Sequence, residues 1–427
     1  MEGIILSAGY GKGLEPITHT RHKALVPLLN TTLLEHQLHV LKEAGVKRVV
    51  VVVSYLKEQV VNAAHIYSKK LGIPIKVTEQ GKPLGTADAL LKALNDVIDE
   101  EFIVLYGDVY VSATDLRTLV ATKGSVIGAF EVSSPDKYGV IITDSNGRVQ
   151  RVIEKPSKPP SNLVNAGIYK FSKWIERYLA NVQLSSRGEY ELTDALNNAT
   201  SSVSIKVLKL REWFEIGRPW KVIEINKHLL SRLDRSVVRG RVERGVVIKG
   251  SVVIEEDSEV LSGTYIIGPA LIGKGAVIGP NAFIRPYTVV LGGSRIGFNV
   301  EVKESVVMEN VHIAHQSYVG DSVVCENANL GAGTILANLR FDEGEVKVAV
   351  KGRLEGSGRR KIGGLIGGFV KTGVNVSICP GKKVGAYSWI YPGVTVCEDV
   401  PPCTIYEGHG SMKRVKGLCN VDLNVWQ

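Results

Sequence analysis

From Ile248 onward an aliphatic residue recurs at every sixth position: Ile248, Ile254, Val260, Ile266, Ile272, Ile278, Ile284, Val290, Ile296, Val302 and Met308. An amphipathic helix repeats its apolar positions at three and four, and a half-buried strand alternates with period two. Period six matches neither. It matches a chain that turns a corner after each short strand, sends one aliphatic side chain inward per hexad and closes a triangular coil every three hexads. Glycine follows many of these positions, as in Ile272-Gly273, Ile278-Gly279 and Ile296-Gly297, which suits the corners. The second half is therefore expected to be a left-handed parallel β-helix of hexapeptide repeats.

The row slips by one at Ile313, continues through Val319 and Cys325, and restarts at Leu330 and Leu336. It breaks across residues 337–361 and returns at Ile366, Ile378, Val384, Ile390 and Val396. A charged excursion between two regular stretches is where a solenoid carries function.

The first half has a different pattern. Residues 3–6, 48–53, 75–79, 102–106 and 125–132 are short apolar or β-branched runs, with helical periodicity at 33–44 and 86–94 between them. Strand-helix alternation with short connections predicts an α/β, doubly wound, mainly parallel sheet that binds its ligands at the carboxyl ends of the strands. Apolar residues at Val222, Ile225, Leu229 and Leu233 mark a helical connection read as packing. The expected organisation is 1–218 for the α/β domain, 219–240 for the helical linker, 241–405 for the β-helix and 406–427 for a C-terminal tail.

Charge and cysteine usage narrow the function classes. A formal charge of +9 without a basic tail or aromatic-basic interleaving suits phosphorylated small molecules better than nucleic acid. There is no 18-residue apolar stretch and no leader-like segment, so no membrane partner and a cytoplasmic location are expected. The five cysteines show no CxxC spacing, which argues against both structural zinc and a secreted disulfide framework. Cys379 and Cys397 are one coil apart and should stack at the rung spacing of ~4.8 Å, within disulfide reach. Free thiols are the reading preferred for a reducing cytosol.

The first strand ends in Leu6-Ser7-Ala8-Gly9-Tyr10-Gly11-Lys12-Gly13, small residues that let backbone N–H groups approach a phosphate. No Ser or Thr follows Lys12-Gly13 and no acidic residue ends the second strand, so neither a P-loop nor a dinucleotide fingerprint is present. An ordered series follows: Pro16-Ile17-Thr18, Lys23, Gln80, Gly85-Thr86-Ala87, Tyr106-Gly107-Asp108, Tyr138-Gly139-Val140, Glu154-Lys155-Pro156, Asn165-Ala166-Gly167 and Trp213-Phe214-Glu215-Ile216-Gly217. This series resembles the sugar-1-phosphate nucleotidylyltransferases. With the solenoid behind it, the chain resembles the archaeal bifunctional nucleotidylyltransferase/acetyltransferases over nearly its whole length.

The resemblance implies in-line attack of a sugar phosphate on the α-phosphorus of a nucleoside triphosphate, a reaction that needs positioning and charge neutralisation. It implies that Gly9 and Gly11 line the nucleotide, Gln80 and Gly85 read the base, and Lys23 and Lys155 hold phosphates. Gly139, Glu154, Lys155 and Asn165 would form the sugar-phosphate site, and Asp108 and Glu215 would hold Mg²⁺. Three positions depart from the family pattern. Gly13 stands where the family has the arginine that grips the triphosphate, His22 replaces a proline, and Glu215 replaces an aspartate. An arginine fork has no equal in Lys12, so the departure implies nucleotidyl transfer that is weakened or absent.

The solenoid half carries the acetyltransferase motifs: Arg285-Pro286-Tyr287, Lys303, His315, Tyr318-Val319-Gly320-Asp321, Gly331-Ala332-Gly333-Thr334, Asn338 and Lys347. Acetyl transfer from acetyl-coenzyme A to a sugar amine requires a base for the amine proton and a donor for the thioester oxyanion. By resemblance His315 is the base, Tyr318 and Asn338 position and polarise, Arg285 and Lys303 hold the sugar phosphate, and Lys347 reaches substrate or coenzyme. The basic loop 351–361, with Arg359, Arg360 and Lys361, reads either as a contact for coenzyme A phosphates or as a solvated charged loop, and Gly344 replaces a lysine of closely similar archaeal sequences. The family forms its acetyltransferase sites in a homotrimer. The function implied is N-acetylation of a hexosamine 1-phosphate, joined to synthesis of a UDP-N-acetylhexosamine. A regulatory or scaffold protein with a degenerate pyrophosphorylase domain remains the alternative. Glucosamine against galactosamine, and UTP against dTTP, stay open.

Overall fold

A computed structural model describes residues 1–414, 417 and 419–426. The chain divides into two compact units. The first comprises Met1–Tyr10, His22–Leu25 and Leu33–Glu215; the second comprises Gly11–Arg21, Val26–Thr32 and the chain from Ile216 onward.

In the first unit the strand Glu2–Leu6 lies at the centre of a nine-stranded sheet, parallel to Val49–Val53 on one side and to Glu101–Tyr106 on the other. Ile75–Glu79 extends the parallel set beyond Val49–Val53. The long strand Leu163–Ser172 runs antiparallel to Glu101–Tyr106 and brings in Ser125–Glu131 and Gly139–Thr143. Val49 to Val53 are all buried, which accounts for an unbroken valine run where a one-sided strand would alternate. Helices Leu33–Glu43 and Thr86–Leu94 cover the sheet with Leu34, Leu38 and Leu41 on one face and Ala89, Leu90 and Ala93 on the other. The expected α/β sheet is thus present, with both helices within a residue of their predicted bounds.

The second unit is a parallel β-helix. Its short strands fall into three sheets, each taking every third strand along the chain, from Val237–Val238 to the hairpin Thr404–Gly408/Ser411–Arg414. Ile248, Ile254, Val260, Ile266, Ile272, Ile278, Ile284, Val290, Ile296 and Val302 form its core column as expected. Each is worth roughly 1.5–3 kcal/mol when fully buried. The slip comes earlier than the sequence suggests. Val290 stacks on Val307 and Val307 on Val324, so Val307 and Val324, rather than Met308 and Cys325, continue the column. Met308 and Cys325 are also apolar and buried, which disguised the loss of one residue at that corner.

The solenoid starts at Val237–Val238, inside the stretch read as linker, and the helix itself ends at Leu230. The hairpin at 404–414 continues the second sheet through Trp389↔Ile405, so the stretch read as tail is ordered at its start. Its residues 415, 416, 418 and 427 lie outside the described residues. Segment 26–32 packs within this unit: Asn226 on the helix Pro219–Leu230 accepts from Leu29 N–H at 2.6 Å and donates to Pro27 carbonyl at 3.0 Å.

Cysteine pairing corrects the free-thiol reading. Cys379 and Cys397 form a disulfide, their Cα atoms 4.9 Å apart on adjacent rungs, and a second, unforeseen one joins Cys403 to Cys419. Cys325 is the one free cysteine, and it is buried. The rung geometry was read correctly; the preference for free thiols was not. Among the described residues no helix is long and apolar enough to cross a membrane.

Candidate functional sites

The first unit holds a cleft lined by Asp108, Gly139, Glu154, Lys155, Asn165 and Glu215. Five separate motifs of the sequence thus converge on one surface. Asp108 follows the central strand Glu101–Tyr106, while Glu215 ends a strand paired antiparallel to Val109–Val111 with Glu215 opposite Val109. That pairing brings the two carboxylates to the same mouth. Lys23 Nζ lies 3.1 Å from Asp108 Oδ2 and 3.8 Å from the β-carbon position of Gly9, joining the glycine loop to the acidic pair.

Asn165 is held by two bonds, its amide donating to Tyr169 Oη at 2.7 Å and its carbonyl accepting from Gly167 N–H at 3.0 Å. Glu154 has its carboxyl pKa raised by burial, against the opposing pull of Arg187 at 3.6 Å. Arg187 also grips Glu191 and lines the cleft, a cationic residue the sequence reading passed over. Its run Arg187-Gly188-Glu189-Tyr190-Glu191 was the available signal.

Gln80 and Gly85 do not themselves line that cleft, although Thr86, next to Gly85, does. Gln80 is buried and donates from Nε2 to Gly85 carbonyl at 3.0 Å and to Asp88 at 2.8 Å, so it braces the Gly85 turn. Gly85 has φ 117° and its β-carbon position collides with the Tyr190 backbone, which only glycine tolerates. Gly11, in the second unit, has φ 73°; its carbonyl accepts from Leu14 N–H and from the Thr18 hydroxyl, closing the turn Lys12–Leu14.

In the solenoid the register stacks the acetyltransferase candidates. Ile284 pairs with Val302 and Lys303 with Gly320, so Arg285, Lys303 and Gly320 occupy successive rungs of one sheet, with Tyr318 on the last of these strands. Arg285 pairs with Glu301 at 2.8 Å. Lys303 Nζ lies 2.8 Å from Asp321, whose carboxylate also receives Asn338 Nδ2 at 2.6 Å and Arg359 at 3.3 Å. Asn338 Nδ2 further donates to Tyr318 Oη at 3.0 Å. His315 stands exposed at the corner before Tyr318, and its imidazole has no hydrogen-bond partner among the described residues.

A polar pocket beside this network is lined by Lys303, Asp321, Glu304, Arg359, Arg360 and Lys361, together with Lys227 from the helix Pro219–Leu230. Arg359 turns inward to Glu304 at 2.6 Å, whereas Arg360 pairs with Glu343 on the excursion. Burial raises the Glu304 carboxyl, and the bonds from Arg359 and Lys227 outweigh it, leaving the pKa below the ordinary value. Lys227, read from the sequence as part of a packing helix, reaches Glu304 at 3.0 Å and lies over the Tyr287 ring. Lys347 is not among these residues. It is exposed on the hairpin Lys347–Val350/Arg353–Gly356.

Comparison with known proteins bears on both units. Residues 2–232 match the family described as Nucleotidyl transferase, and residues 266–357 match the GMPPB C-terminal domain. The bifunctional sugar-1-phosphate nucleotidylyltransferase/acetyltransferase of Sulfurisphaera tokodaii is 48% identical over 402 residues, covering 94% of this chain and 98% of that protein. The bifunctional protein GlmU of Methanocaldococcus jannaschii is 42% identical over 401 residues, covering 94% and 96%. The low-salt glycan biosynthesis nucleotidyltransferase Agl11 of Haloferax volcanii is 31% identical over 340 residues, covering 78% and 94%.

Proposed function

We propose, because the chain belongs to the family of bifunctional sugar-1-phosphate nucleotidylyltransferase/acetyltransferases, that it N-acetylates a hexosamine 1-phosphate from acetyl-coenzyme A and uses the product in a slower nucleotidyl transfer. The observation that carries the reading is the stack of Arg285, Lys303 and Tyr318 on successive rungs, closed by Asn338 and flanked by His315.

In acetyl transfer the amine nitrogen attacks the thioester carbon, the C–N bond forms as the C–S bond breaks, and the amine proton passes to His315 and on to the departing thiolate. Arg285 and Lys303 supply cations for the sugar phosphate. Arg360 and Lys361 offer charge to coenzyme A phosphates from the same pocket, and Arg359, held inward by Glu304 and Asp321, backs them. Lys347 would need the excursion to move, or a second copy of the chain, to reach substrate. A homotrimer would supply that second copy.

In nucleotidyl transfer a sugar phosphate oxygen attacks the α-phosphorus and pyrophosphate departs. Gly9 and Gly11 would line the nucleotide, Lys23 and Lys155 would neutralise phosphates, and Gly139, Glu154 and Asn165 would hold the sugar. Two carboxylates at one cleft mouth suit Mg²⁺, which takes few protein oxygens and completes its shell with phosphates and water. Asp108 and Glu215 would hold it, and the ion would offset charge on the phosphates. The rate is reduced because no arginine stands at Gly13.

Paired assays test the reading: coenzyme A release with glucosamine or galactosamine 1-phosphate, and pyrophosphate release with UTP or dTTP, Mg²⁺ and the N-acetylated sugar phosphate. Coenzyme A release lost in His315→Ala and pyrophosphate release lost in Asp108→Asn are expected. Silence in both assays favours the regulatory alternative.

A further inference from the structure

Asp321 has a place in the acetyltransferase motif but no role there, yet its carboxylate meets three side chains of the solenoid. It is 1% exposed. Lys303 Nζ meets its two oxygens at 2.8 and 3.1 Å, Asn338 Nδ2 at 2.6 Å and Arg359 Nη2 at 3.3 Å. Lys303 and Arg359 have only N–H donors to offer, so towards them the carboxylate is the acceptor.

This acceptor gives the network a direction. Turned over, the Asn338 amide would set its carbonyl oxygen against a carboxylate at 2.6 Å, two acceptors in contact and no hydrogen between them. The amide nitrogen must therefore face Asp321. One of its hydrogens goes to Asp321 and the other to Tyr318 Oη at 3.0 Å. Both Asn338 donors are then consumed, and only its carbonyl oxygen is left to offer a ligand. Tyr318 Oη accepts from Asn338 and keeps its own hydrogen to donate elsewhere. Burial, with Asp321 and Glu301 nearby, raises the Tyr318 pKa and keeps the phenol protonated.

We propose that Asp321 is the positioning residue of the acetyl-transfer site, fixing Asn338 as a hydrogen-bond acceptor for the sugar amine and Tyr318 as the donor to the thioester carbonyl oxygen. The inference rests on the acetyltransferase reading above and deepens it. It also divides a task that the sequence reading shared between the two side chains: Tyr318 polarises, and Asn338 orients.

The test uses the full chain, with coenzyme A release as the readout and pyrophosphate release as a control on folding. Asp321→Asn frees the amide to turn over, and kcat for coenzyme A release is expected to fall about 100-fold, the scale of an ångström-sized misplacement. KM for acetyl-coenzyme A should hardly change. The reciprocal pair Asp321→Asn/Asn338→Asp restores a hydrogen bond between the two positions, but its carboxylate at 338 would take the Tyr318 hydrogen, so kcat stays low. Rescue by that pair would reduce Asp321 to a structural bond and overturn the proposal. Tyr318→Phe leaves the Asp321 ion pairs intact and is expected to lower kcat without raising KM for the sugar phosphate; wild-type kcat in this variant would also overturn it. A wild type that acetylates no amino sugar phosphate sinks the parent reading first, and this inference with it.

Discussion

The guanidinium of Arg218 sits where a side chain on Gly13 would begin: its Nη1 is 2.6 Å from the β-carbon position of Gly13, and the Gly217 carbonyl oxygen is 2.5 Å from the same point. Nη1 also donates to that carbonyl at 2.8 Å, while Nε and Nη2 hold Glu355 at 2.8 and 3.1 Å. The glycine is therefore a fitted residue with backbone against it.

Restoring the family arginine by Gly13→Arg is accordingly expected to fail as a repair. The β-carbon must displace the 217–218 backbone, which costs about 1–3 kcal/mol, the range for overpacking. A lower melting temperature with no gain in pyrophosphate release is the expected result. Gly13→Ala should destabilise similarly, and a rise in pyrophosphate release with Gly13→Arg alone would show that the 217–218 segment yields easily.

A second glycine is fitted to the proposed acetyl-transfer site. A β-carbon on Gly320 would fall directly on Tyr318 Oη and 2.7 Å from Asn338 Nδ2. Gly320→Ala is expected to separate this pair and lower coenzyme A release by about 100-fold, as misplaced catalytic groups do. Pyrophosphate release from the same preparation should be retained, which distinguishes site disruption from global unfolding.

Both glycines show where sequence reading stopped. The β-helix was legible because each coil repeats one spacing, and the α/β sheet because its buried strands are apolar runs such as Val49–Val53. The one-residue slip was misplaced because Met308 and Cys325 are as apolar as Val307 and Val324; only rung pairing tells them apart. The motifs located the candidate side chains but not their partners. Asp321 stood beside Tyr318 in the sequence, yet its grip on Asn338, 17 positions away, depends on a coil closing. Likewise nothing local showed that residues 11–21 pack within the second unit, where Arg21 pairs with Glu309 at 2.5 Å and Glu326 at 3.1 Å.

The disulfides make a direct chemical prediction. Alkylation of the denatured, unreduced protein is expected to label one cysteine, Cys325, and reduction beforehand should raise the count to all five. Closing loops of this size limits the unfolded chain by about 3 kcal/mol each in the chain-entropy account. Reduction should therefore lower the melting temperature of the solenoid, and five labels without reductant would refute the pairing.

Two buried histidines make stability depend on pH. His19 is pushed down to about 3 by burial and by Lys383, and His22 to about 3 by burial and by Lys23. His22 Nδ1 accepts from Ala24 N–H at 3.2 Å and His19 Nδ1 from Ala386 N–H at 3.3 Å, bonds that require an unprotonated nitrogen. The native pKa lies below the unfolded value of 6.5, so between those values the unfolded chain binds more protons and gains on the native state. Stability from these groups is whole above about pH 6.5 and is lost as the pH falls toward 3. Each histidine should cost about 1–2 kcal/mol between pH 6.5 and about pH 5, at ~1.4 kcal/mol per unit. Urea unfolding at the two pH values measures it. His22→Leu should keep the native packing and lose its share of the acid sensitivity, and an unchanged difference between the two pH values would show that His22 is already charged in the native protein.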